Sequence, residues 1–271
     1  MTSADTAFGD RIVSETVTYL AEVEACVGEL PGLCSAYAED GAYRAAADRV
    51  AERESACDRA NRQIGGLVAN ASAREVGIRL TRVHLNAGET IELYQRLDAV
   101  ANAAERFASD LVATSPPRSA ACLVTLRALA DRAAETVQML VHVVDEFVRA
   151  LVDADRTASL ATEVAAVRTA ESECDRLRDA VVATAFDDGP TPAALCYRDL
   201  AAGLDETVDA MEDVTDQLLL LTGNQPWIDL EPDSPGDGDD AGTAPSGGRR
   251  TAAASRNGRR RPGDTGSGHG G

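Results

Sequence analysis

The sequence predicts an all-α protein built as two similar three-helix bundles, six long helices in all, followed by a disordered C-terminal tail. Three observations lead there. Of the 271 residues 44% are hydrophobic but only 4% aromatic, and the apolar set is Ala, Val and Leu, which suits close-packed helices better than strands rich in β-branched and aromatic side chains. Long segments with helical periodicity alternate with short runs of turn residues. The third observation is an internal repeat. Glu54-Ser-Ala-Cys57-Asp58-Arg59 returns as Glu171-Ser-Glu-Cys174-Asp175-Arg176, an offset of 171 − 54 = 117, and Leu97-Asp98…Asn102…Glu105 returns as Leu204-Asp205…Asp209…Glu212, an offset of 204 − 97 = 107. Order is kept while an intervening loop shortens, as in duplicated helical units.

The first helix is expected from about Asp10 to Glu29, stopped by Leu30-Pro31-Gly32, with a short helical piece over Leu33–Ala38. The second runs from about Ala42 to Val68, after Glu39-Asp40-Gly41. The third starts near Ser72 or Glu89 and continues to Thr114, where Ser115-Pro116-Pro117 ends it. The fourth spans about Arg118–Leu151 and the fifth Arg156–Ala185. Asp187-Asp188-Gly189-Pro190 then breaks the chain before a sixth, Pro192–Leu221. The helical domain is therefore 1–222, with halves at about 8–114 and 118–222, and the repeat rides on the second and third long helices of each half.

From 223 to 271 the chain reads as a disordered tail, acidic at first (Asp237, Asp239, Asp240) and then rich in Arg and Gly (Arg249, Arg250, Arg256, Arg259 to Arg261). It has too little apolar surface to offset chain entropy. Trp227 and Ile228 at its start are the residues able to dock on the bundle.

Formal net charge is −19, with 26 basic residues, all Arg. Phosphate repulsion argues against nucleic acid as a partner of the folded part. Because a solvated acidic face is the default in such a chain, only carboxylates with special spacing or repetition carry weight. Six scattered Cys form no Cys-x-x-Cys and fit a reduced, cytoplasmic setting. The opening MTSADTAFGDRIV lacks a basic segment followed by an apolar core, so no signal peptide is expected, and no run reaches the ~18 apolar residues of a membrane span.

Positions i, i+4, i+7 and i+11 of a helix share one stripe. On the sixth helix that stripe holds Asp205, Asp209, Glu212 and Asp216, beside the apolar Leu204, Val208, Met211, Thr215 and Leu218, so the acids border the core. Like charges at i, i+4 repel by a few tenths of a kcal/mol per pair, and no Arg is interleaved. Shared cations are one form of compensation, because carboxylate oxygens from facing helices suit hard or borderline metals. The facing partner is the fifth helix, with Glu171, Asp175 and Asp179 spaced by four and with Arg176 and Arg178 off that line. The first half places Glu54 and Asp58 opposite Asp98, Asn102 and Glu105, but Arg62 replaces Asp179 and Ser109 replaces Asp216, so stronger metal binding is expected in the second half. Cys57 and Cys174 read as small packing residues. His84 and His142 stand alone, without the Glu-x-x-His of a di-iron bundle. No nucleotide-binding, nucleophile-elbow or zinc-protease motif occurs, and Lys is absent, which favours a binding or regulatory protein over an enzyme.

Two three-helix halves, each with an E-x-x-x-D segment (Glu54/Asp58, Glu171/Asp175) and a following Asp-x-x-x-Asp/Asn segment (Asp98/Asn102, Asp205/Asp209), resemble the PhoU-like phosphate-transport regulators over about residues 8 to 222. The branch known as DUF47, accessory to Pit-type phosphate permeases, is the nearest likeness. The resemblance implies a non-enzymatic cytoplasmic protein, placed peripherally at the inner face of the membrane, that acts on phosphate uptake through a Pit-type permease or a phosphate-signalling partner. It also implies multinuclear iron or zinc clusters, one on Glu171, Asp175, Asp205 and Asp209 with Glu212 beside them, the other on Glu54, Asp58 and Asp98. Asn102 departs from the usual acid there. Ala- and Leu-rich faces are compatible with a homodimer, and the acid excess without Lys resembles the protein composition of halophilic archaea. A metal-independent helical adaptor, whose acids serve only solubility in salt, is the alternative.

Overall fold

Helix α1 (Ser3–Gly28) is followed at once by the short α2 (Leu30–Ala38), then by α3 (Tyr43–Ala69) and α4 (Ala87–Thr114). The second half holds α5 (Ala120–Val152), α6 (Ala161–Ala185) and α7 (Pro192–Thr222). This computed structural model describes residues 3–71, 82–83, 86–222 and 227–229. The tail from 230 onward, His84 and the alternative helix start at Ser72 lie outside the described residues.

All six expected long helices are present, and the differences at their ends have local causes. Pro31 and Gly32 do not form a loop. Pro31 sits in the first turn of α2, where its missing N–H is no loss, so it starts a helix. Helix α3 is set off by Asp40 in the left-handed region (φ 58), and the Gly41 N–H donates to the Ala36 carbonyl at 2.7 Å. Ser115 (φ 37) ends α4, and Ser119 caps α5, its hydroxyl accepting from the Cys122 N–H. Residues 156–160, expected as helix, instead contain the two-residue strand β1 (Ala158–Ser159), which pairs in parallel with β2 (Ile228–Asp229). Trp227 and Ile228 are buried, as the sequence allowed.

Within the first half α3 packs on both α1 and α4, and within the second α6 packs on both α5 and α7. The halves meet through α1 against α5 and α4 against α7. Arg106–Glu206 (2.5 Å) and Arg96–Asp213 (3.8 Å) fix α4 and α7 as antiparallel neighbours. At their seam Gly203 of α7 lies against Phe107 of α4. This close approach makes one continuous core, with α3 and α6 as outer helices.

The connection between halves is clamped from both sides. Tyr37 donates to the Pro116 carbonyl and Tyr197 to the Pro117 carbonyl at 2.9 Å. Arg118 donates to the Tyr37 carbonyl at 2.7 Å, pairs with Asp40 and lies 5.1 Å from the Tyr37 ring centre.

Candidate functional site

The repeated motifs form two equivalent seams, α3 against α4 and α6 against α7. The repeated spacing of four on each helix puts the acids at the border of the core, as expected. On α7, Asp205 is buried at 4% exposure, Glu212 is half-buried, and Asp209 and Asp216 reach solvent. Cys57 and Cys174 are fully buried, and burial pushes the Cys174 thiol up to about 12, which leaves it a neutral packing group. In both copies the Ser that follows the motif Glu donates to it, Ser55 to Glu54 at 3.4 Å and Ser172 to Glu171 at 3.1 Å.

In the second seam Glu171 and Asp175 of α6 lie close enough to Asp205 and Asp209 of α7 to influence their ionisation. Burial, then the charges of Asp205, Glu171 and Asp175, push the Asp209 carboxyl up to about 6. Asp205 is also raised by burial, and Arg178 opposes that rise. Glu212 is raised by burial and by Glu171 and Asp216.

The compensation for these charges comes from arginine. Arg178, expected to lie off the acidic line, is its centre: one Nη1 meets Asp175 Oδ1 at 2.5 Å and also bonds Asp205 Oδ2, while Nη2 reaches Asp179 Oδ1 at 3.1 Å. Burial works against the Arg178 charge, but the bonds to Asp205 and Asp179 outweigh it and raise its pKa. Further along, Arg168 of α6 pairs with Asp216 at 2.6 Å and approaches Glu212 at 4.0 Å. The stripe on α7 thus has no Arg of its own because the neighbouring helix supplies two.

The first seam uses amides for the same task. Asn102 Nδ2 donates to Asp98 Oδ2 at 3.1 Å, and Asn61 lies near enough to lower the Asp98 pKa. Arg62 pairs with Asp58 at 2.9 Å. Asp98 is raised by burial and by Asp58, and Glu54 by burial and by Asp58, Glu105 and Asp98. Asn61 and Arg178 are the functional residues that spacing alone missed. The signal was available, since 61 + 117 = 178 puts them at the same repeat position, three residues after the motif Asp.

The donor chemistry of these seams suits an oxygen-loving cation. Among the described residues no group of three or more His, Cys, Asp or Glu is placed to hold a metal ion. In the second seam two of the four motif carboxylates are taken by Arg178, and in the first Asp58 is taken by Arg62 and Asp98 by Asn102.

No protein-family model matches the chain, and no curated protein does. Solved structures do. A PhoU-like protein from Shewanella oneidensis MR-1 is similar with a TM-score of 0.64 at 15% identity, over 78% of this chain and 99% of that one. A second PhoU-like phosphate regulatory protein from the same organism gives 0.57 at 16% identity, over 78% and 99%. PhoU from Pseudomonas aeruginosa gives 0.57 at 18% identity, over 80% and 98%. The chain therefore has the helical fold of the PhoU-like proteins, across almost the whole length of each of them.

Proposed function

We propose that this chain is a PhoU-like regulator of phosphate transport, acting without catalysis through contact with a membrane phosphate permease or its signalling partner. The observation that carries the reading is the whole-length likeness to PhoU-like structures, combined with repeated carboxylate motifs facing each other across both outer seams. Membership of the DUF47 branch, a Pit-type permease as the partner, a cytoplasmic place against the inner membrane face, homodimerisation and a halophilic source belong to the same proposal. No helix among the described residues is long and apolar enough to cross a membrane, so contact with a permease would be peripheral. The proposed domain is 1–222, with 223–271 as an appended tail.

The test is deletion of the gene, followed by labelled-phosphate uptake in phosphate-rich and phosphate-starved cells. The expected result is an uptake rate that no longer follows phosphate supply. Unchanged uptake under both conditions would sink the reading.

In this form of the proposal the seams carry no metal. The competing form places an iron or zinc cluster on Glu171, Asp175, Asp205 and Asp209, and the unneutralised charge at Asp209 favours it. That form requires Arg178 to leave Asp175 and Asp205. Elemental analysis of the purified chain separates the two.

A further inference from the structure

We infer that Arg178 is the resident counter-ion of the α6–α7 seam, supplying permanently the positive charge that a bound cation would otherwise bring. The inference goes beyond the phosphate reading and does not depend on it.

Its basis is a comparison of the two repeats at one position. Three residues after the motif Asp, the first repeat has Asn61 and the second has Arg178. Arg178 crosses to the facing helix and bonds the first Asp of its motif, Asp205, while Asn61 lies near enough to the matching Asp98 to favour its charged form. The first seam has three motif acids, Glu54, Asp58 and Asp98, because Asn102 is neutral. The second has four, because Asp209 takes the place of Asn102. The seam with the additional carboxylate is the seam whose cross-helix donor is cationic.

Burial makes the charge necessary. Asp205 is 4% exposed, and a buried carboxylate without a partner is among the costliest groups a core can hold. Guanidinium is suited to the task because it does not lose its proton in proteins and presents several donors from one plane. One Nη1 serves Asp175 and Asp205, on two helices, together. That is the bridging geometry for which a divalent cation is otherwise recruited.

The test is a set of melting curves at one fixed ionic strength, with chelator or with millimolar Mn2+ or Zn2+ added. The wild type is expected to melt at the same temperature under all conditions and to purify without stoichiometric metal. Arg178→Asn, which copies the first repeat, is expected to melt at least about 5 °C lower in chelator and to recover when Mn2+ or Zn2+ is added. Arg178→Asn with Asp205→Asn, which removes the buried charge as well, is expected to be insensitive to chelator again. Three outcomes overturn the inference: a wild type that carries iron or zinc and loses as much stability in chelator as the variant; a single variant as stable as wild type in chelator; or a single variant that neither metal restores. If the single variant does not fold in chelator, the double variant decides, since its failure to fold would show that packing of the arginine, and not its charge, holds the seam.

Discussion

Asn102 donates a hydrogen bond to Asp98, whereas its repeat counterpart Asp209, when ionised, repels Asp205. The same backbone position therefore relieves charge in one half and adds it in the other.

Asp209→Asn should stabilise the protein, and the gain should depend on pH. The folded-state pKa of Asp209 is raised to about 6 from an ordinary 3.8. For a carboxyl shifted upward, ionisation is costlier folded than unfolded, so the penalty is absent below about pH 4, grows between 4 and 6, and is complete above 6. Solvent reaches this side chain, so after screening the gain is about 1 kcal/mol. Urea denaturation at pH 4 and pH 8 checks it: the variant and wild type should coincide at the lower pH and separate at the higher.

The α4–α7 seam tolerates one methyl group and no deletion. A Cβ built on Gly203 would lie 3.7 Å from the Phe107 Cβ, an ordinary contact. Gly203→Ala should therefore raise stability by up to about 1 kcal/mol through helix propensity. Phe107, 1% exposed, fills the same seam, and Phe107→Ala should cost about 3 to 5 kcal/mol. Chemical denaturation of both variants reads out the opposite signs.

Arg82 closes the end of α5. Its guanidinium donates to the carbonyls of Ala150 (2.6 Å), Asp153 (3.0 Å) and Ala154 (3.0 Å), and lies 4.6 Å from the centre of the Trp227 ring. Helix ends leave such carbonyls unpaired, and charge-assisted bonds to them are worth about 1.5 to 3 kcal/mol each at most. Arg82→Ala should destabilise by about 2 kcal/mol. It should also shift the emission of Trp227, the only tryptophan of the chain, to longer wavelength.

Thiol labelling should distinguish one cysteine from five. Cys26, Cys34, Cys57, Cys122 and Cys174 are buried and Cys196 is partly exposed. Native protein should react with one equivalent of a thiol reagent quickly and with the other five only on unfolding. Rapid reaction at Cys57 or Cys174, read by peptide mass mapping, would show that the motif seams open.

The fold was legible because its signals are local. Breakers at Ser115-Pro116-Pro117 and Gly189-Pro190, and stripes at helical spacing, mark each long helix without any knowledge of its neighbours. The site was legible only in part. Spacing put Glu171, Asp175, Asp205 and Asp209 on facing helices, yet it could not show that Arg178, three residues along the same helix, swings between them. A long side chain on a helix covers neighbouring turns as well as its own position, so a residue off the stripe can still neutralise it. The Pro31 result has a similar origin, since proline stops a helix in its interior but favours one in its first turn. The pairing of Ala158 with Ile228 is not legible in the sequence, because two-residue strands have no periodicity to read.

The β1–β2 pairing has a mechanical consequence. Ala158 N–H donates to the Trp227 carbonyl at 3.1 Å, and Trp227 packs on Phe147 of α5 at 5.8 Å between ring centres. Tension applied to the chain beyond residue 229 would therefore be borne first by the loop between α5 and α6, where the ladder shears, and only afterwards by α7. Helix α7 and its carboxylates are thereby insulated from a pull on residue 229.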